Sequence, residues 1–260
     1  MKIYQIDAFT KNVFSGNSAA VCPLKQWISD EIMQKIAAEN NLAETAFYVK
    51  NGDKYEIRWF TPTVEVDLCG HATLAAAYVL FHYENHNDTV VPFYSARSGD
   101  LTVNQDGDLL SLNFPTDTLE PIALTNEILD AFDTKPQQAF KGKTDYLILF
   151  NSEKEILNLK PNFDQILKLD ARGVIATAKG NNSDFVSRFF GPKAGINEDP
   201  VTGSAHTTLI PYWAKELHKT KLSAVQLSDR KGYLDCELLG DRVRISGYAK
   251  CYLIGNLFLE

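Results

Sequence analysis

The chain has 260 residues, beyond the about 100–200 of one ordinary domain, with 45% hydrophobic residues, 23% charged residues and a net charge of −7. That balance supplies a sizeable core and argues against a nucleic-acid or anionic-membrane binder, which needs clustered Lys and Arg. A small anionic substrate remains open, because a site a few residues wide can be locally positive.

The opening residues MKIYQIDAFTKNVF lack the apolar stretch of a signal peptide and read as a strand. Next comes an amphipathic helix. Ser29 is its N-cap, Asp30 and Glu31 favour its first turn, and Ile32, Met33, Ile36 and Ala37 form one face. Glu44 follows it, just before a strand from Ala46 to Val49. A strand from Tyr55 to Phe60 ends near Pro62, and an uncharged helix runs from Gly70 to Phe81. A helix apolar on nearly all sides is a buried one. Leu101–Val103 and Leu109–Leu112 flank Asp106-Gly107, a hairpin signal. The stretch from Pro115 to Lys143 is the least periodic and reads as a connection between units. Beyond it lie a strand from Phe185 to Phe190 and a second uncharged helix from Gly203 to Ala214, which Pro211 should kink or end. Leu234–Leu238 and Val243–Ile245 around Gly240-Asp241 close the series. The longest uncharged stretches, Leu68–Phe81 and Pro200–Ala214, fall short of the ~20 residues of a membrane span. Cys22, Cys69, Cys236 and Cys251 lack CxxC spacing, which speaks against a metal site or disulfides and for a reduced, cytoplasmic protein.

This order contains a repeat. Arg58-Trp59-Phe60-Thr61-Pro62, Gly70 and Arg97-Ser98-Gly99 recur as Arg188-Phe189-Phe190-Gly191-Pro192, Gly203 and Arg230-Lys231-Gly232, at offsets of 130, 133 and 133 residues. Three matches in register, half a chain apart, imply a duplicated α/β unit. Each unit is expected to wrap antiparallel strands around one buried helix, as a curved sheet or barrel. The expected domains are residues 1–115 and 116–249, with the terminal strand at 250–260 packing back onto the first. The active site is expected in the cleft between them.

The helix starts carry the first chemical suggestion. The first N–H groups of a helix lack internal partners and sit at the positive end of its dipole. Cys69-Gly70-His71-Ala72 and Thr202-Gly203-Ser204-Ala205 place small residues there, so two facing starts would cradle a carboxylate. Two turn glycines capping core helices is the blander reading. The dipole disfavours an imidazolium at His71, so a neutral ring is expected. Asp199 precedes the second helix, where an N-cap is the simplest role. Glu44 lies among Leu42, Ala43, Thr45 and Phe47. It is either an exposed loop residue or a half-buried carboxylate suited to proton transfer.

Asn41-Leu42-Ala43-Glu44-Thr45-Ala46-Phe47, Arg58–Pro62, Cys69–Thr73 and Glu198–Ala205, with Asp7–Thr10 and Gly16-Asn17, together resemble the phenazine-biosynthesis isomerase (PhzF-like) family. The resemblance implies a diaminopimelate-epimerase-like fold of two similar α/β domains, an isomerase without cofactor or metal, and a homodimer. It implies that Glu44 shuttles a proton between two carbons of a small cyclic or unsaturated amino or hydroxy carboxylic acid. His71 and Asp199 would be its catalytic partners, and Gly70, Ala72, Thr202, Gly203 and Ser204 would bind the substrate carboxylate. Epimerases of this fold use two opposed thiols. Cys69 keeps one position, and Thr202 replaces the other. A dehydratase or epimerase using Cys69 and Thr202, or a non-catalytic small-anion binder, stands as the alternative.

Overall fold

The computed structural model describes residues 1–259. The contacts of the described residues divide into two units: residues 1–113 with 246–259, and residues 114–245.

The first unit contains β1 (Lys2–Ala8), β2 (Asn17–Leu24), α1 (Asp30–Asn40), β3 (Glu44–Asn51), β4 (Lys54–Phe60), β5 (Glu65–Val66), α2 (Gly70–Tyr83), β6 (Val90–Ser95), β7 (Gly99–Asp106) and β8 (Leu109–Pro115). The second holds β9 (Glu120–Ile122), α3 (Asn126–Leu129), β10 (Gln138–Lys141), β11 (Asp145–Leu149), α4 (Glu153–Asn158), α5 (Phe163–Ile166), β12 (Gly173–Lys179) and β13 (Phe185–Gly191). It continues with β14 (Ile196–Asp199), α6 (Gly203–Leu217), β15 (Lys221–Gln226), β16 (Gly232–Leu239) and β17 (Arg242–Gly247). The last strand, β18 (Ala249–Asn256), returns to the first unit and pairs antiparallel with β1.

In the first unit β1–β2 and β3–β4 are antiparallel, while β2–β3 and β4–β6 are parallel. The second unit runs through the same pairings. There β10–β11 and β12–β13 are antiparallel, and β11–β12 and β13–β15 are parallel. Antiparallel joints dominate, and each unit keeps one long helix in its interior. All of His71–Ala77 in α2 is buried, with Val79 and Leu80. The helix packs against β1, β2, β3, β7 and β18. Burying one Val or Leu side chain contributes about 1.5–3 kcal/mol, so this helix is a main source of the unit's cohesion.

Helix α1 forms as its pattern predicts. The Ser29 side chain accepts from the Ile32 N–H, Asn41 closes the far end at φ 48°, and Met33, Ile36 and Ala37 are buried. Ile32 is the exception, being 39% exposed.

Two sequence expectations need correction. The stretch from Pro115 to Lys143 is not a bare connection. It contributes Ile128, Ala131, Phe132 and Ala139 to the core of the second unit. Its elements are only three or four residues long, too short to show periodicity. Helix α6 does not end at Pro211 but continues to Leu217. A proline leaves the carbonyl four residues earlier without its helical donor. Here the Asp117 backbone N–H donates to that carbonyl, Thr207 O, at 3.1 Å.

The repeated arginines make matching forks. Arg58 grips Glu65 through Nε and Nη2 at 2.7 and 2.9 Å, and lies over the Phe60 ring. Arg188 grips Glu198 at 2.7 Å through both nitrogens, and lies over Phe190. Each two-point pair ties a central strand to the chain that follows it, just before the buried helix begins.

Candidate active site

In the first unit the site is built where three elements begin. Strands β2 and β3 run parallel with Ala19 opposite Glu44, so Asn17 and Glu44 open the two strands at one end. Helix α2 starts at the same place, with Cys69 as its N-cap and His71 as its second residue. His71 Nε2 lies 3.1 Å from Glu44 Oε2, and the two side chains are only 5% and 13% exposed. Neither atom has a hydrogen bond among the described residues, so the contact is an ion pair without hydrogen-bond geometry. The other ring nitrogen, Nδ1, is 3.3 Å from Asn17 Nδ2 and 3.5 Å from Cys69 Sγ. Gly70 and the fully buried Ala72 complete the helix start.

The electrostatics overturn the expectation of a neutral His71. Burial and the helix start both disfavour an imidazolium. Against burial stand Cys69 and the Glu44 carboxylate, and the net displacement is well above 6.5. Burial first, and then the Glu44 charge, push the Cys69 thiol up to about 11, so at neutral pH it carries its proton and no charge. Glu44 is the next neighbour after Cys69 that raises His71. The dipole argument missed this because it weighed His71 without its carboxylate.

Glu44, Cys69 and His71 offer three donor atoms within 4.8 Å of one another. A metal bound there would take Cys69 as the thiolate and release its proton.

The second unit gathers the remaining predicted residues. Asp199 ends β14, and its Oδ2 accepts from the Thr202 hydroxyl at 2.6 Å. Thr202, not Asp199, is the N-cap of α6, and its side chain makes no cap bond. Instead Gln226 Oε1 accepts from the Thr202 N–H at 2.8 Å, while Gln226 Nε2 donates to Asp199 O and Thr202 Oγ1. Gly203 is buried and Ser204 exposed at the helix start. Ser204 Oγ accepts from Arg172 Nη2 at 3.0 Å, and Arg172 is forked onto Asp145 at 3.0 and 2.5 Å. Nothing in the sequence marks Gln226 or Arg172. Asn17 stands in a noted motif, but its partner is 54 residues away.

His206 lies beneath this helix start, with Nδ1 2.8 Å from Thr202 O. Burial pushes it down from 6.5 to about 4, against the lift of that carbonyl. Between those values the unfolded chain binds a proton that the folded one does not, so stability falls as pH drops from 6.5 towards 4. The expected loss across that window is roughly 3 kcal/mol. Urea midpoints measured at several pH values should show it, and His206→Gln should flatten the slope. An unchanged slope in the variant would remove His206 as the cause.

The phenazine biosynthesis-like protein family (PhzC-PhzF) model matches residues 6–254. An uncharacterized isomerase of Pseudomonas aeruginosa is 51% identical over 100% of this chain and 99% of its own. The crystal structure of a phenazine biosynthesis protein of the PhzF family from Enterococcus faecalis superposes with a TM-score of 0.97, at 47% identity and 99% coverage of both chains. A predicted epimerase of P. aeruginosa matches with a TM-score of 0.76 at 17% identity, over 100% of this chain and 99% of its own, a likeness of fold alone. With its diaminopimelate-epimerase-like fold and its matches to isomerases, the chain belongs to the phenazine biosynthesis-like PhzC-PhzF family and is an enzyme of the isomerase class.

Proposed function

We propose that the protein is a cofactor-independent isomerase that moves a proton between carbons of a small cyclic or unsaturated amino or hydroxy carboxylic acid. Glu44 is its general acid and base. One observation carries this reading: a half-buried carboxylate faces a buried imidazole at a helix start, and neither facing atom has a hydrogen bond among the described residues. A pair placed this way can take a proton from a bound carbon acid and return it, while His71 keeps the carboxylate charge balanced. Gly70 and Ala72 at the α2 start, and Thr202, Gly203 and Ser204 at the α6 start, are assigned to the substrate carboxylate. Asp199, held by Thr202, is assigned as a further catalytic partner. The shared order of pairings and the matching arginine forks support an internal duplication. A homodimer and a cytoplasmic location complete the proposal.

The test is isotope wash-in. Purified protein is incubated in deuterium oxide with candidate carboxylic acids, and an isobaric pair that interconverts and gains label is sought. If label enters at the wild-type rate with Glu44→Gln, Glu44 is not the proton carrier and the reading fails.

The thiol alternative makes a different forecast. Cys69 is held protonated, and the Thr202 hydroxyl is occupied by Asp199 and Gln226. Cys69→Ala should keep kcat within about threefold, whereas loss of a required acid or base costs about 10²–10⁴-fold. A loss on that larger scale would put the thiol back in the mechanism.

A further inference from the structure

We propose that Asn17 is a positioning residue that keeps a proton on His71 Nε2, the nitrogen facing Glu44. The inference rests on the reading of Glu44 and His71 as the proton-carrying pair. Which imidazole nitrogen holds the proton is set by the partner of the other. Here the other is Nδ1, and two side chains converge on it: the Asn17 amide at 3.3 Å and the Cys69 sulfur at 3.5 Å. Asn17 presents its NH2 group, which donates and cannot accept. The thiol carries its proton at neutral pH, so it too offers a donor. In the neutral ring, two donors on one nitrogen require a lone pair there. When the ring is neutral its proton therefore stays on Nε2, towards Glu44. When the ring is charged the amide can turn and present its oxygen, and Nε2 still keeps its proton. Among the described residues, Glu44 and Cys69 are titratable groups in contact with the ring.

The surroundings fix Asn17 closely. It is fully buried and opens β2 opposite Ala8 of β1. Before it runs a tight segment in which Phe9, Phe14 and Gly16 all have positive φ (62°, 68° and 68°). For two phenylalanines that is a costly backbone, of the kind that clusters at functional sites. The Asp7 carboxylate accepts from the Phe14 N–H at 2.9 Å, and Thr10 Oγ1 and Ser15 Oγ are 2.5 Å apart. These bonds hold the segment, and the segment holds Asn17 against His71.

The test uses nitrogen NMR of the imidazole and steady-state kinetics on the whole protein. Wild type, titrated until the ring is neutral, should show an unprotonated Nδ1 and a protonated Nε2. Asn17→Ala should mix the two neutral tautomers and lower kcat about tenfold or more, with KM within about twofold. Asn17→Asp keeps the shape and supplies an acceptor at Nδ1. It should raise the His71 titration by at least about one pH unit, because a carboxylate then faces the ring. A wild-type ring with its neutral proton on Nδ1 overturns the proposal, as does Asn17→Asp with an unmoved titration. A kinetic loss confined to KM overturns it too, since that would make Asn17 a substrate contact. The NMR arm needs no substrate. A wrong tautomer therefore removes the role of Asn17 alone, while turnover surviving Glu44→Gln removes the proton-transfer reading alone.

Discussion

Replacing Glu44 by Gln is expected to lower kcat about 10³-fold while leaving KM within about threefold, since a positioned general acid or base contributes about 10²–10⁴-fold. The amide has the shape of the carboxylate and still fills the opening of β3, which its backbone bonds to β2 and β4 hold in place. It cannot take up or release the proton. The change should also be visible at His71. With the Glu44 charge gone, burial dominates and the imidazole should titrate lower than in wild type. Kinetics and the His71 titration thus report the same contact from two sides. Unchanged turnover would sink the role of Glu44. Unchanged titration would mean that what raises His71 is not the Glu44 charge.

Much of this site was legible in the sequence for a physical reason. Gly70 and Gly203 begin uncharged helices, and an uncharged helix in a chain of ordinary polarity has to be buried. That places both helices in the interior of their units and makes the residues at their starts candidates for chemistry. Glu44 stood out because a carboxylate among Leu42, Ala43 and Phe47 is not in the company of a solvated charge run. What stayed hidden was pairwise. His71 is raised by Cys69 and by a carboxylate 27 positions earlier, and Cys69 by burial and then by the same carboxylate. Gln226 closes the Asp199–Thr202 network from β15, on a strand whose pattern shows only alternation. Local propensity describes how a segment folds. It carries no record of which side chain a distant segment will deliver against it.

The two units also part company in chemistry. The α2 start holds a buried imidazole against a carboxylate, and the matching residues at the α6 start are a serine on an arginine and a threonine tied to aspartate and glutamine. No second Glu–His pair occurs among the described residues of the α6 start. This asymmetry fits the proposed one-faced isomerisation. Two-base racemisation would need opposed acid/base groups.

Gly16→Ala should be the most damaging single-methyl change in the first unit, for a reason that joins stability to catalysis. The backbone at Gly16 has φ +68°, and an added Cβ would lie 2.1 Å from the Ala8 carbonyl oxygen and 2.8 Å from Thr10 Cγ2. The left-handed conformation alone costs an L-residue about 1–2 kcal/mol. Displacing the paired end of β1 should bring the total to roughly 3–4 kcal/mol, beyond the usual range of point mutants. At about 2–4 °C per kcal/mol for a chain of this size, the melting temperature should fall by roughly 6–16 °C. Gly240→Ala is the matched control, since Gly240 has φ +69° but nothing within 4 Å of an added Cβ. It should show the conformational cost alone. Well below melting, Gly16→Ala should also lower kcat as Asn17→Ala does, because the shifted backbone carries Asn17 away from the His71 ring. Equal thermal losses in the two glycine variants would show that close packing against Ala8 contributes nothing. Full turnover in folded Gly16→Ala would disconnect the strained segment from the proton-carrying pair.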